Sequence, residues 1–185
     1  LADGGFLYLI GGQSEAGVLA SVYLYDPAAD SWRPVAELPG PRAEAAGGAL
    51  TGQLYVVGGS DGAAEQPSCF SYDPPRDTWS DCPDMLLSRV DAGATVLLNK
   101  LYVIGGTAGD EAAYGEVYDP NTRTWTVLNA PPDTFDWRAP GVTHVETRIY
   151  AVGGRRGELL SDATLVYSPL TYQTYIPAAP SDREQ

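Results

Sequence analysis

Histidine is almost missing from this chain: His144 stands alone, beside only two cysteines and one methionine in 185 residues. One imidazole cannot build a multi-histidine metal site, and Cys69 and Cys82 lack the paired spacing of a zinc site. No metal and no cofactor is therefore expected. Two cysteines are also too few for a secreted disulfide scaffold, which favours a reducing, cytoplasmic setting with free thiols. Basic residues are scarce too, 11 against 24 acidic ones for a formal charge of −13. Such a field repels nucleic acid and anionic membranes and draws basic partners. No apolar run approaches the roughly 18 to 20 residues of a membrane span, and the N-terminus shows no basic-then-apolar leader. Neither a Gly-x-Ser-x-Gly elbow nor a phosphate loop is present, so the residues indicate no enzyme.

What the chain does have is glycine in register. Leu7-Tyr8-Leu9-Ile10-Gly11-Gly12 returns as Leu54-Tyr55-Val56-Val57-Gly58-Gly59, Leu101-Tyr102-Val103-Ile104-Gly105-Gly106 and Ile149-Tyr150-Ala151-Val152-Gly153-Gly154, with the last glycines 47, 47 and 48 residues apart. Each run reads as a strand buried on both faces and stopped abruptly, and the period suits a four-stranded propeller blade. The doublets follow strands but open no helix, so they are not phosphate-binding signals.

A second element repeats between the doublets. Tyr25-Asp26-Pro27, Tyr72-Asp73-Pro74 and Tyr118-Asp119-Pro120 are each followed by a tryptophan, Trp32, Trp79 and Trp125, seven residues after the tyrosine. Proline and aspartate make this a tight hairpin turn, and the fixed separation places the two rings for packing, with the glycine doublet as the expected surface. The fourth unit departs from the pattern, with Tyr167-Ser168-Pro169 and Tyr175 in place of tryptophan. Cys69 and Cys82 face each other across the second of these hairpins, within reach of a disulfide, although free thiols are the expectation.

Together these features resemble kelch repeats, whose signature is Gly-Gly, then Tyr-Asp-Pro, then Trp at this spacing. The resemblance implies an all-β, kelch-type β-propeller fold in a single domain, with four units at about 1–43, 44–90, 91–138 and 139–185. The first unit lacks an inner strand before its doublet strand, and the four blades are expected to belong to a larger propeller. It further implies a protein-protein interaction module similar to the substrate-recognition propeller of BTB-kelch adaptors for cullin-3 ubiquitin ligases. There the ligase is held by separate BTB and BACK domains, absent from this chain. An actin-binding kelch scaffold and a kelch-fold sugar epimerase are the alternatives from other classes.

By that resemblance, partners are bound at the start of the inner strands and in the loops after the doublets. Counting back from the glycines places Glu44, Asp91 and Ala139 at the first of these, with Arg42, Arg89 and Arg138 close by. Two acids at the channel mouth suit a neutral or basic segment. The loops after the doublets add Ser14, Glu15, Ser60, Asp61, Glu65, Asp110, Glu111, Arg155, Arg156 and Glu158. In the long connection before the fourth inner strand, Phe135 and Trp137 are candidate anchors or rings packed beneath their own loop. Open blade edges at the two ends of the arc imply self-association.

Overall fold

A computed structural model describes residues 1–107, 115–128 and 137–169. The strands in chain order are β1 (Ala2–Asp3), β2 (Phe6–Ile10), β3 (Gln13–Ser14), β4 (Gly17–Val18), β5 (Val22–Asp26), β6 (Ser31–Val35), β7 (Ala46–Leu50), β8 (Gln53–Val57), β9 (Cys69–Asp73) and β10 (Thr78–Cys82). They continue as β11 (Val90–Leu97), β12 (Lys100–Thr107), β13 (Gly115–Asp119), β14 (Thr124–Val127), β15 (Trp137–Arg138), β16 (Gly141–Val145), β17 (Arg148–Val152), β18 (Arg155–Arg156), β19 (Leu159–Leu160) and β20 (Thr164–Tyr167). Every pairing is antiparallel, and each unit forms its own sheet: β1-β2-β5-β6, then β7-β8-β9-β10, β11-β12-β13-β14 and β16-β17-β20. The hairpin β3-β4 follows the first doublet, and β15, β18 and β19 form a ribbon beside the fourth. Tyr175 and Phe135 lie outside the described residues.

The doublet strands explain why the units stack. β8 is apolar at every position from Leu54 to Val57, because its two faces serve two cores. Leu54 and Val56 join Tyr8, Val22 and Leu24 of the first unit, whereas Tyr55 and Val57 join Leu101, Val103 and Tyr118 of the third. β12 repeats the arrangement, with Tyr102 and Ile104 turned to Ile149 and Ala151 of the fourth unit. At the flanks only one face is covered: Leu7 and Leu9 of β2 and Val152 of β17 are exposed. The inner strands β7, β11 and β16 lie next to one another, which sets the blades around a common axis.

Two expectations change. The innermost place in the first unit, where the sequence predicts no strand, holds the two-residue β1, pinned by the Leu1 amino group on the Tyr8 carbonyl oxygen at 2.9 Å. Cys69 and Cys82, expected as thiols, are bonded in a disulfide. They are register partners on β9 and β10 with Cα atoms 5.1 Å apart, and both are buried in the core between the second and third units.

The Tyr-Trp pairs stack across their hairpins at centroid separations of 4.9, 4.9 and 5.1 Å. They face the preceding unit rather than the glycine doublet. The Trp79 Nε1 donates to the Ala36 carbonyl at 2.8 Å and the Trp125 Nε1 to that of Pro83 at 2.7 Å. Trp32, with no unit described before it, is 53% exposed.

Backbone approach is the job of the doublets. At Gly105, φ is +71°, and an added Cβ would lie 2.5 Å from the Trp137 carbonyl oxygen; at Gly52, φ is +75° and the space is open. Gly105→Ala should therefore cost about 2 kcal/mol and Gly52→Ala about 1 kcal/mol in urea unfolding. Equal losses would remove the close approach as the reason for the doublet. Leu98 carries the opposite flaw: it sits exposed in the β11-β12 turn at φ +50°, with Asn99 at +57°. Such turns favour Asn and Gly, and Leu98→Asn should raise stability by about 1 kcal/mol. A lower melting temperature would contradict that assignment.

Candidate interaction surface

Each inner strand is entered through the same two-step turn. The residue at its start has left-handed backbone: Glu44 at φ +57°, Asp91 at +56° and Ala139 at +47°. β7 begins at Ala46, after this turn, whereas β11 runs through it from Val90. The turn lets the three residues join directly, the Asp91 N–H donating to the Glu44 carbonyl at 3.1 Å and the Ala139 N–H to the Asp91 carbonyl at 2.7 Å. Three blades are thus tied by backbone bonds at one end of the axis. Glu44 and Ala139 are exposed on this mouth and Asp91 is half-buried.

Two residues earlier stand Arg42 and Arg89, whose role the structure corrects, and Trp137, whose ring is packed inside. All three are buried, so none offers a surface to a partner. Their carbonyl groups reach back to the doublet of the preceding blade: Gly12 and Gly59 donate their N–H groups to Arg42 and Arg89 at 2.7 Å, and Gly106 is the register partner of Trp137. Two of the side chains reach forward to their own blade's doublet. Arg89 Nη1 donates to the Gly105 carbonyl at 2.8 Å, and Trp137 Nε1 to the Gly153 carbonyl at 2.5 Å. The position is a bridge between blades.

The side-chain partner of this bridge differs by blade. Arg42 lies over the Phe70 ring at 5.1 Å and donates to the Pro41 carbonyl and the Ser68 hydroxyl. Burial holds its pKa below the ordinary arginine value, against the pull of Asp61 and Asp84. Arg89 pairs with Glu116 at 3.2 Å, both side chains fully buried, and Glu116 also accepts the N–H groups of Leu86 and Leu87. Burial lowers the Arg89 pKa as well, and Glu116 opposes the shift. Sequence reasoning missed Glu116, although an acid at the register position that Phe70 holds in the second unit is a legible signal for a buried cation.

Arginines gather on the fourth blade. Arg138 is exposed and faces Arg155 in register, while Arg156 lies over the Trp137 ring at 5.7 Å. The end of the blades carrying Glu44 and Asp91 is therefore acidic on one arc and basic on the other. In the loops, Asp61 is committed to its own turn: its carboxylate accepts the N–H groups of Ala63 and Ala64 and the Gln66 amide, each at 2.8 Å. Those backbone bonds, first Ala64 and then Ala63, hold its pKa below the usual range. Ser14 and Ser60 shape their loops through the Ala16 and Gly62 N–H groups. Glu15, Glu65 and Glu158 are exposed, and Asp110 and Glu111 lie outside the described residues. His144, on β16, sits 3.0 Å from the Thr95 hydroxyl of β11. Among the described residues, no group of three or more His, Cys, Asp or Glu is placed to hold a metal, and no helix is long and apolar enough to cross a membrane.

Separate antiparallel blades stacked about an axis, joined by buried doublets, define an all-β propeller architecture. The chain belongs to the kelch-repeat family: the family model described as KLHDC2/KLHL20/DRC7 Kelch-repeats domain matches residues 1–175. It is thus a kelch-type propeller domain. Among solved structures the chain is similar to one titled "Structure of YjhT", at 21% identity and a TM-score of 0.75, over 90% of this chain and 60% of that one. The chain thus spans less than two thirds of that neighbour. No curated protein gives a significant match.

Proposed function

We propose that the chain captures a polypeptide segment of neutral or basic character at the mouth formed by Glu44, Asp91 and Ala139, without catalysing a reaction. The observation that carries this reading is the run of backbone bonds through those three residues, which makes a rigid platform with two carboxylates at the start of its inner strands. Rigid presentation lowers the ordering cost of binding. Arg138 and Arg155 bound the platform on the fourth blade and set the direction in which a charged segment lies.

In its finer form the reading is a substrate receptor of the BTB-kelch, cullin-3 type, in which other domains hold the ligase. A cytoplasmic setting goes with that form, and the Cys69–Cys82 bridge weighs against it. The test is an array of short basic, neutral and acidic peptides probed with the chain and with its Glu44→Gln/Asp91→Asn variant. Retention of basic and neutral peptides that the variant loses supports the proposal. Retention of acidic peptides alone, or binding indifferent to the variant, refutes it.

A further inference from the structure

We propose a second binding site, at the opposite end of the first two blades, that receives the side chain of a lysine or arginine from a partner polypeptide. It goes beyond the mouth reading and does not depend on it. Glu44 precedes β7 and Gly52 follows it, so a cavity lined by Gly52 lies at the far end of that strand. This cavity, of about 380 Å³, is walled by Phe6, Tyr8 and Tyr72 and carries Asp3, Arg33 and Asp77. Its size suits one long side chain with its flanking backbone.

Asp77 follows the repeat, accepting the Tyr72 hydroxyl as Asp30 accepts that of Tyr25, each at 2.6 Å, but Asp3 and Arg33 are not dictated by it. Aligned on the doublets, Asp3 stands where the next units place the buried Leu50 and Leu97; aligned on the tryptophans, Arg33 stands where they place Ser80 and Thr126. Tyr55, the counterpart of Tyr8 in the second unit, gives its hydroxyl to Gln53 at 3.1 Å, whereas Phe6 stands at the Gln53 position in the first. Asp3, Arg33 and Asp77 line the cavity together with Tyr8. Where a repeat departs from its own pattern without a packing reason, function is the expected cause.

Charge selects the occupant. Two carboxylates face one guanidinium, on a chain of net charge −13. Asp77 uses Oδ1 for both the Tyr72 hydroxyl at 2.6 Å and the Ala36 N–H at 2.8 Å, which leaves Oδ2 for a ligand. Aromatic walls beside carboxylates favour a cation with an apolar stem, because the stem buries against the rings while the head meets oxygen.

The experiment is a titration of the ¹⁵N-labelled chain with N-acetyl-arginine amide and N-acetyl-lysine amide. N-acetyl-citrulline amide serves as the neutral isostere and N-acetyl-glutamate amide as the anion. Saturable shifts of the Gly4 and Gly52 amides are expected from the two cations, with dissociation constants on the order of millimolar. Asp77→Asn keeps the acceptor for Tyr72 and Ala36 while removing the charge, and should weaken binding about threefold. Arg33→Gln should tighten it about twofold. Asp91→Asn, at the mouth, should change nothing here, so the two sites fail independently. Citrulline acting as strongly as arginine, shifts from glutamate alone, no shifts at all, or an unaltered affinity in Asp77→Asn each overturn the assignment.

Discussion

Arg89→Ala is expected to remove about 4 kcal/mol of stability, the cost of stripping one partner from a fully buried ion pair. Arg89 and Glu116 have no exposed side-chain surface, and the alanine would leave the Glu116 carboxylate buried without its cation. It would also release the Gly105 carbonyl, to which Arg89 Nη1 is bonded. Two variants separate these terms. Glu116→Gln keeps one acceptor oxygen, enough for Arg89 Nε and the Leu87 N–H, but turns an NH2 donor towards the Leu86 N–H and loses the charge; with part of the network kept, it should cost less than Arg89→Ala. Arg89→Met with Glu116→Leu removes both charges and should cost less than the sum of the single losses, since the partners are coupled. Chemical unfolding of the set measures all of them. A loss under about 1 kcal/mol for Arg89→Ala would mean that water reaches the pair.

Reduction of the Cys69–Cys82 bridge carries the next largest effect. The bridge spans 13 positions, and opening a loop of that length costs about 3 kcal/mol in the chain-entropy account. Both sulfurs are buried beside Met85, so the thiols of a reduced chain would still pack as small apolar groups. The loss therefore arises in the unfolded chain, and Cys69→Ala/Cys82→Ala should lose more than reduction because it also leaves a cavity. Melting with and without a thiol-free reductant reads the first number. Identical curves, together with two titratable thiols in the unfolded native sample, would restore the free-thiol reading.

Much of the fold is legible because repetition makes weak signals strong. One Gly-Gly after an apolar run says little, yet four in register place β2, β8, β12 and β17, and the uninterrupted apolar runs of β8 and β12 correspond to strands with a core on each face. The Tyr-to-Trp spacing gives the hairpins, but not the surface they meet, because the ring contacts lie in the preceding blade and no local pattern encodes them. The site is less legible for the same reason. Arginines near a mouth read as ligand contacts when their partners are unknown. Arg89 is buried by Glu116, 27 residues away, and Arg42 by Phe70, so burial depends on pairings that sequence distance hides. The Trp137 ring fills the place of those arginines two residues before its inner strand, and only the shared Gly-carbonyl bond shows that an indole and a guanidinium do one job.

The claim on which the interaction reading depends is that the mouth is one rigid platform. Hydrogen exchange of the Asp91 and Ala139 amides tests it most directly. Both belong to strand entrances with left-handed backbone, where exchange is ordinarily fast, yet both are bonded to the neighbouring blade. Protection comparable to that of the β8 and β12 amides is the predicted result. Exchange as fast as in the exposed turns would show blades that move independently at the mouth, and would contradict the platform.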